Sequence, residues 1–156
     1  MQFKASTDYG IRAILYLVAQ GGTCSSRDIA EDMSIPRDYL IQLAQLLRNA
    51  GIIEARPGKH GGYRLAKKPE EISVLDVMNA LDEETRNNTR ERRAERKGND
   101  MVEEVKMTYD LIEECFDAFM ASLTMDSLLE CVENKGNSRE YLSNRLREEG
   151  RRLVEA

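Results

Sequence analysis

The chain has 156 residues, of which 41% are hydrophobic and 33% are charged, and it contains no tryptophan. This length is that of one domain, or of one domain with an appendage, and the composition is typical of a soluble, helix-rich protein. No apolar run approaches the length of a membrane span and the amino terminus has no hydrophobic signal segment, so we expect a cytoplasmic protein with no membrane partner.

The net charge of −5 is unevenly distributed along the chain. Residues 1–68 hold ten basic and six acidic residues, a net charge of +4, whereas residues 69–156 hold thirteen and twenty-two, a net charge of −9. The overall charge therefore does not exclude nucleic-acid binding by the first half. An acidic second half would favour one docking orientation and limit non-specific adhesion.

The residue types needed for a metal site or a catalytic site are sparse. The chain has one histidine and three widely separated cysteines, Cys24, Cys115 and Cys131. It has no CxxC pair and no paired-histidine motif, so no metal site within one chain is expected. It also has no phosphate-binding glycine loop and no paired acid and base, so no enzyme is predicted.

The first predicted helix covers residues 7–20, and Ser6 or Thr7 can cap its start. Its apolar positions recur at helical spacing and are expected to face the core: Ile11, Ile14, Leu15 and Val18. Two consecutive glycines, Gly21 and Gly22, end this helix.

A second and a third short helix follow. Ser25 or Ser26 can cap the second helix, and a tight turn leads into the third, whose first turn accommodates Pro36. Gly51 can take the left-handed conformation that stops the third helix. The core-facing positions of the two helices are Ile29, Ala30, Met33, Leu40, Leu43, Leu46 and Leu47. Two short helices joined by a tight turn form a helix-turn-helix.

A glycine-rich hairpin with a cationic tip is predicted next. Residues 52–55 run out, a turn with one proline and three glycines reverses the chain, and residues 63–65 run back. The tip carries four basic or titratable side chains and no acid: Arg56, Lys59, His60 and Arg64. A helix followed by such a hairpin predicts a winged helix-turn-helix, whose helix enters a major groove while the wing follows the phosphates.

Several of these side chains can contact DNA. Arg37 can donate to a guanine edge or to a phosphate, Tyr39 can pack on a thymine methyl or donate to a phosphate, and Gln42 can pair with adenine. Arg56, beside glycines, suits insertion into a narrow minor groove. His60 is expected to be a solvated residue of the wing, not a pH switch.

After the wing, Ser73 with Asp76 forms a capping-box variant at the start of another helix. Residues 83–100 contain almost no large apolar side chain and are expected to be an exposed, basic linker. Whether this linker is only solvated or also contacts DNA stays open, because a run of charge does not decide between the two.

A regular heptad pattern follows the linker. The apolar positions are spaced alternately by three and four residues: Val102, Val105, Tyr109, Ile112, Phe116, Phe119 and Leu123. Such a narrow stripe on a charged helix is typical of a coiled-coil seam, so we expect two copies of the chain to pair through it. The alternative is that the stripe packs on the last helices of the same chain.

The resulting organisation has four parts. Residues 1–82 form the winged helix-turn-helix, and residues 83–100 the linker. Residues 101–123 form the long dimerisation helix, and residues 124–156 the C-terminal helices.

Four segments carry a resemblance to a known family: STDYGIRAILYLV, DIAEDMSIPRDYLIQLAQLLRNAGII, RPGKHGGYRLAKKPEEISVLDVMNAL and LTMDSLLE. Over roughly residues 1–132 the chain resembles the Rrf-two family of bacterial transcription regulators, of the IscR, NsrR and CymR type. The resemblance implies a homodimeric DNA-binding regulator that acts on a palindromic operator. By position, it implies DNA contacts at Asp38, Tyr39 and Arg56, and a phosphate contact at Lys4.

The sequence departs from the cluster-binding members of that family. These members place three cysteines in the linker before the long helix, and here the linker has none. Asp8 matches a residue that some members use as an additional ligand, but one carboxylate without thiolates cannot hold a cluster. No iron–sulfur cluster and no other cofactor are therefore expected.

Two hypotheses remain for the signal that would control the regulator. Cys24, in the loop after two glycines, is expected to be accessible, and Cys115 flanks the seam, so oxidation of Cys24, Cys115 or Cys131 is one hypothesis. The alternative, which we favour, is that all three cysteines are plain apolar side chains. A small-molecule or protein effector near the long helix and the linker is the second hypothesis. We expect a repressor, with a non-regulatory protein-interaction module as the alternative function.

Overall fold

The computed structural model describes residues 3–82, 100–133 and 138–155 of the chain. Over these ranges the fold is mainly α-helical with one two-stranded antiparallel hairpin, as the sequence predicts. Within them, no helix combines the length and the apolar character that crossing a bilayer requires. The predicted linker falls outside the described residues, apart from its last residue.

The elements, in chain order, are α1 (Ala5–Gln20), α2 (Ser26–Asp32), α3 (Arg37–Asn49), β1 (Ile53–Arg56), β2 (Gly62–Leu65), a 3₁₀ turn (Pro69–Glu71), α4 (Val74–Leu81), α5 (Asp100–Ser122), α6 (Met125–Glu133) and α7 (Ser138–Glu155).

Two helix starts are capped as predicted. The backbone N–H of Asp28 donates to the Ser25 hydroxyl oxygen over 3.1 Å at the start of α2. At the start of α4, the N–H of Asp76 donates to the Ser73 hydroxyl over 3.1 Å, and the N–H of Ser73 donates to the Asp76 carboxylate over 2.8 Å. Each cap satisfies backbone donors that a helix start leaves without a partner.

The expectation that Ser6 or Thr7 caps the first helix is wrong. α1 begins at Ala5, and Lys4 occupies the capping position without a side-chain hydrogen bond to the backbone. The N–H of Asp8 donates to the Lys4 carbonyl over 3.0 Å, so Ser6 and Thr7 lie inside the first turn and not before it. The Asp8 carboxylate lies in this turn, where the helix dipole favours negative charge.

The core is centred on α1, which packs against α3, α4 and α6. Its most deeply buried hydrophobic side chains come from α1, α2, α3, α4, the loop before α4 and the start of α6: Ile14, Ile29, Leu40, Leu47, Ile72, Val77 and Met125. Gly10 allows α1 and α4 to approach closely, because a Cβ there would overlap the side chain of Leu81. The apolar periodicity seen in the sequence is therefore satisfied mainly within this one core.

The end of α5 is joined to the loop before α4 by two backbone hydrogen bonds. The N–H of Val74 donates to the Leu123 carbonyl, and the N–H of Met125 donates to the Ile72 carbonyl, each over 2.8 Å. Leu123 and Met125 are both buried. The first eighty residues and the segment around residue 124 therefore share a hydrophobic core.

The hairpin is anchored near its turn to the loop between α1 and α2. In the hairpin, Ile53 pairs with Leu65 and Arg56 pairs with Gly62. Cys24 and Tyr63 exchange two backbone hydrogen bonds, of 2.9 and 2.8 Å, which add one bridge to the outer edge of β2. Gly62 has a φ of +153°, and a Cβ at this position would overlap the carbonyl oxygen of Cys24.

Substitution of Gly62 by alanine is expected to lower the free energy of unfolding by about 2 kcal/mol or more, because it combines backbone strain with a clash against a backbone atom. Gly58→Ala is the matched control, since Gly58 also has a positive φ, of +111°, but has open space around it. Urea unfolding followed by circular dichroism measures both variants. Equal losses for the two variants would contradict the role assigned to the close approach.

Candidate nucleic-acid interface

The outer face of α3 is exposed and mostly polar. Arg37, Asp38 and Gln42, which were predicted to contact DNA, are all exposed near the start of this helix. Ile41 lies between them and is 43% exposed, although it is aliphatic. Sequence reasoning missed Ile41 as a surface residue that could contact a base. The available signal was its position next to Leu40, which places it outside the buried leucine stripe.

The start of α3 is braced against α1 by aromatic and charged side chains. The rings of Tyr9 and Tyr39 meet edge to face, with centroids 5.8 Å apart. The Arg12 guanidinium lies 5.4 Å from the centroid of the Tyr9 ring and pairs with the Asp8 carboxylate at 2.5 Å. Arg12 also donates to the carbonyl of Met33, in the turn between α2 and α3, over 3.5 Å. Tyr39 is half-buried by this arrangement, which holds the start of α3 against α1.

A second contact ties α1 to the end of α2. The Tyr16 hydroxyl donates to the Asp32 carboxylate over 2.8 Å. This hydrogen bond raises the pKa of Tyr16 to about 12, with burial and the charge of Asp32 acting in the same direction. The hydroxyl therefore keeps its proton and its partner at neutral pH.

The hairpin carries cations on its surface, but two of them share an acid. The Glu54 carboxylate pairs with Arg64, which lies opposite it on β2, and with Arg56 at 3.4 Å. Lys59 and His60 are exposed in the turn at the tip. The wing therefore presents less free positive charge than its sequence suggests.

Lys4 lies at the other end of the α1 surface and forms an ion pair with Asp82 at 2.7 Å. The pair joins the start of α1 to the end of α4. The Lys4 side chain remains 56% exposed, so a phosphate could reach its ammonium group. Because that group is already paired with Asp82, the phosphate would have to replace Asp82 as its partner.

The heptad stripe of α5 is divided into two parts. Its first four members, Val102, Val105, Tyr109 and Ile112, are exposed. Phe116 and Phe119 are half-buried against the chain's own core. Leu123 is buried in that core, so it is not available at a surface as the predicted dimer seam requires. The stripe thus leaves the core near Phe116 and continues as an exposed apolar row.

The three cysteines occupy three different environments. Cys24 is buried beneath the hairpin, so the expectation that it is accessible is wrong. Residues 21–23 of its loop are exposed, but the backbone of Cys24 itself pairs with that of Tyr63. Burial raises the pKa of the Cys24 thiol, and the nearby charge of Asp28 adds to this. Cys115 is exposed, and Cys131 is half-buried with a pKa raised by burial.

A family model described as "Iron-dependent Transcriptional regulator", that of Rrf2, matches residues 3–131. The chain belongs to the Rrf2 family. The family and the fold are those of transcriptional regulators, which agrees with the resemblance drawn from the sequence.

Among curated relatives, a Synechocystis protein named as an HTH-type transcriptional regulator is 40% identical over 85 residues, which cover 53% of this chain and 58% of that protein. The match thus spans little more than half of the relative's length. Among solved structures, IscR of T. potens has a TM-score of 0.71 at 25% identity and covers 87% of this chain and 91% of its own. CymR of B. subtilis, described as a global cysteine regulator, shares the fold with a TM-score of 0.67 at 23% identity, over 83% and 97% of the two chains.

The family description implies iron, but the donor groups of this chain do not fit an iron–sulfur cluster. In the ranges that the structure covers, no three Cys, His, Asp or Glu side chains are grouped as metal ligands. Residues 83–99 contain neither cysteine nor histidine. Asp8, which the resemblance drawn from the sequence matches to a possible ligand, is paired with Arg12. Thiolates are the ligands such clusters need, and they are not assembled here.

The native protein is expected to react with a maleimide first at Cys115 and last at Cys24. Burial shields the Cys24 sulfur from the reagent, and the raised pKa of its thiol lowers the fraction that is present as reactive thiolate. Modification of Cys24 should be about a hundred-fold slower in buffer than in urea, because it requires local opening. Mass mapping of timed reactions measures this order, and labelling of Cys24 as fast as Cys115 would contradict it.

Proposed function

We propose that this protein is a sequence-specific DNA-binding transcriptional regulator that acts as a homodimer on a palindromic operator. The observation that carries the proposal is the exposed polar face of α3 next to a cationic hairpin, in the half of the chain with net positive charge. α3 packs against β1, so one duplex can contact the helix and the wing together. Of the two directions of regulation we propose repression, in which the bound dimer blocks transcription from the operator.

In this proposal the start of α3 reads the major groove. Arg37 donates to guanine or to a phosphate, and Gln42 pairs with adenine. Ile41 contacts a thymine methyl group, which gives a reason for an exposed aliphatic side chain on a polar face. Asp38, beside them, accepts from cytosine or excludes a phosphate that approaches out of register.

The wing and the amino terminus supply the backbone contacts. Arg56 enters the minor groove, and Lys59 and His60 lie along the phosphates. Lys4 exchanges its ion pair with Asp82 for a phosphate. Such contacts make affinity strongly dependent on salt concentration.

Dimerisation is proposed through the exposed part of the α5 stripe. The row from Val102 to Ile112 is about 15 Å long, and it continues a stripe that is half-buried at Phe116 and Phe119 and buried at Leu123. A second copy of the same row is the self-complementary surface that a two-fold interface requires. Pairing there would set the distance between the two α3 helices, and so the spacing of the half-sites.

The input signal is proposed to act on this dimer without a cluster. One route is oxidation of Cys115, which is exposed and adjacent to Phe116 at the edge of the stripe. The other is a small-molecule or protein effector that binds near α5 and the linker. Both would act by changing the relative position of the two DNA-reading surfaces.

Selection from random duplexes, with reduced and oxidised protein in parallel, tests the proposal. Enrichment of a palindrome supports a dimeric regulator, and loss of enrichment on oxidation supports thiol sensing. Absence of any enriched sequence would instead favour a protein-interaction module that retains the fold.

Arg56→Ala is expected to weaken binding to the selected operator by about 1–3 kcal/mol, because it removes the proposed minor-groove contact. Arg147→Ala on α7 is the control, since it removes one exposed charge far along the chain. Fluorescence anisotropy at fixed salt measures both. Equal affinities of Arg56→Ala and the wild-type protein would exclude this role for Arg56.

Ile112→Glu is expected to dissociate the dimer, with a rise in Kd of about a hundred-fold, because it buries an unpaired charge at the seam. Met107→Glu is the matched control. Met107 is 66% exposed and lies about 150° around α5 from the stripe. Sedimentation velocity measures the mass of each variant in solution. A dimeric Ile112→Glu variant, or equal dissociation of both, would rule out this interface.

A further inference from the structure

The charges on one face of the hairpin form a linked set of three residues. Glu54 and Arg56 are two residues apart on β1, so their side chains lie on the same face of the strand. Arg64 lies directly opposite Glu54 on β2. The residue opposite Arg56 is Gly62, which has no side chain to pair with it. The two arginines therefore share one carboxylate.

The two arginines are held unequally by this carboxylate. The same oxygen atom, Oε1 of Glu54, accepts from Nε of Arg64 and lies 3.4 Å from Nη2 of Arg56. Arg64 is the nearer partner, and Arg56 is at a distance where a hydrogen bond is weak. A competing anion can therefore displace the contact of Arg56 more easily than that of Arg64.

All three side chains are partly exposed, at 40% for Glu54, 48% for Arg56 and 42% for Arg64. Ion pairs at such exposure contribute little free energy and exchange readily with other ions. A carboxylate and a phosphate offer similar oxygen acceptors to a guanidinium. Glu54 thus offers Arg56 and Arg64 the same kind of oxygen acceptor that a DNA phosphate would offer.

We propose that Glu54 is an internal counter-ion that releases Arg56 to DNA but retains Arg64, and so limits binding to non-cognate DNA. This inference rests on the proposed DNA-binding function. Non-specific binding depends almost entirely on contacts between cations and phosphates. A cation that stays paired with Glu54 therefore makes no such contact and adds nothing to non-specific affinity. Cognate binding also has base contacts, so it depends less on that cation. Glu54 therefore raises the ratio of cognate to non-cognate affinity.

Glu54→Gln tests the proposal, because it keeps the size of the side chain and removes its charge. Affinity for a 30-base-pair duplex of random sequence (about three turns of DNA) should rise about five-fold in about 0.1 M salt. The slope of log K against log salt should steepen by about 0.9, which corresponds to one more phosphate contact. Affinity for the selected operator should rise less than two-fold on the same scale.

Glu130→Gln is the matched control, since Glu130 is exposed on α6 and the substitution changes the net charge equally. Its affinity for the random duplex should equal that of the wild-type protein. An equal rise in Glu130→Gln and Glu54→Gln would overturn the proposal, because it would assign the effect to net charge. Melting curves followed by circular dichroism confirm that each variant is folded.

Two further variants test whether Arg64 is the cation that Glu54 withholds from non-cognate DNA. Arg64→Gln alone should lower affinity for the random duplex, because Glu54 is then left to pair with Arg56 alone. The double variant Glu54→Gln with Arg64→Gln should lose the gain of Glu54→Gln. A gain that persists in the double variant would overturn the assignment to Arg64. Failure of the wild-type protein to bind either duplex would refute the proposed function itself, and is thereby distinguished from failure of this inference.

Discussion

Burial of α1 is the constraint on which the rest of this structure depends. α1 contacts α2, α3, α4, α6 and β2, and Ile14 on its inner side is inaccessible to solvent. Because α3 packs its leucines against α1, its polar side can only face outward. The hairpin follows α3 directly and is anchored next to the end of α1 by the pairing of Cys24 with Tyr63. The orientation of the surface that we propose for DNA is thus set by hydrophobic packing behind it.

Much of the fold could be predicted because its signals are local. The caps at Ser25 and Ser73, the left-handed Gly51 and the hairpin all depend on residues within a few positions of each other. The accessibility of Cys24 could not be predicted in the same way. The burial of Cys24 depends on its pairing with Tyr63, 39 residues further along the chain. The local sequence around either residue does not show that the two lie next to each other in the fold. The helix start at Ala5 was missed for the opposite reason. The hydroxyl groups of Ser6 and Thr7 are a local capping signal, but neither residue caps α1 in the structure.

The candidate site was predictable in its residue types and less so in its electrostatics. Exposed positions on α3 follow from helical periodicity, and exposed positions on the wing follow from its glycine-rich turn. A count of the basic residues in the sequence, however, treats every positive charge as available to bind DNA. Lys4 is paired with Asp82, 78 residues away, and Arg56 shares Glu54 with Arg64. Exposed pairs of this kind change the charge that a polyanion meets while changing stability little.

The two backbone hydrogen bonds between the segments around Ile72 and Leu123 have a mechanical consequence. They hold the base of the long helix against the loop that precedes α4, inside the same core that supports α1. The exposed part of α5 therefore projects from a base that is hydrogen-bonded to the core at Leu123. A tilt of this part would be transmitted through that base to the helices that carry the surface we propose for DNA.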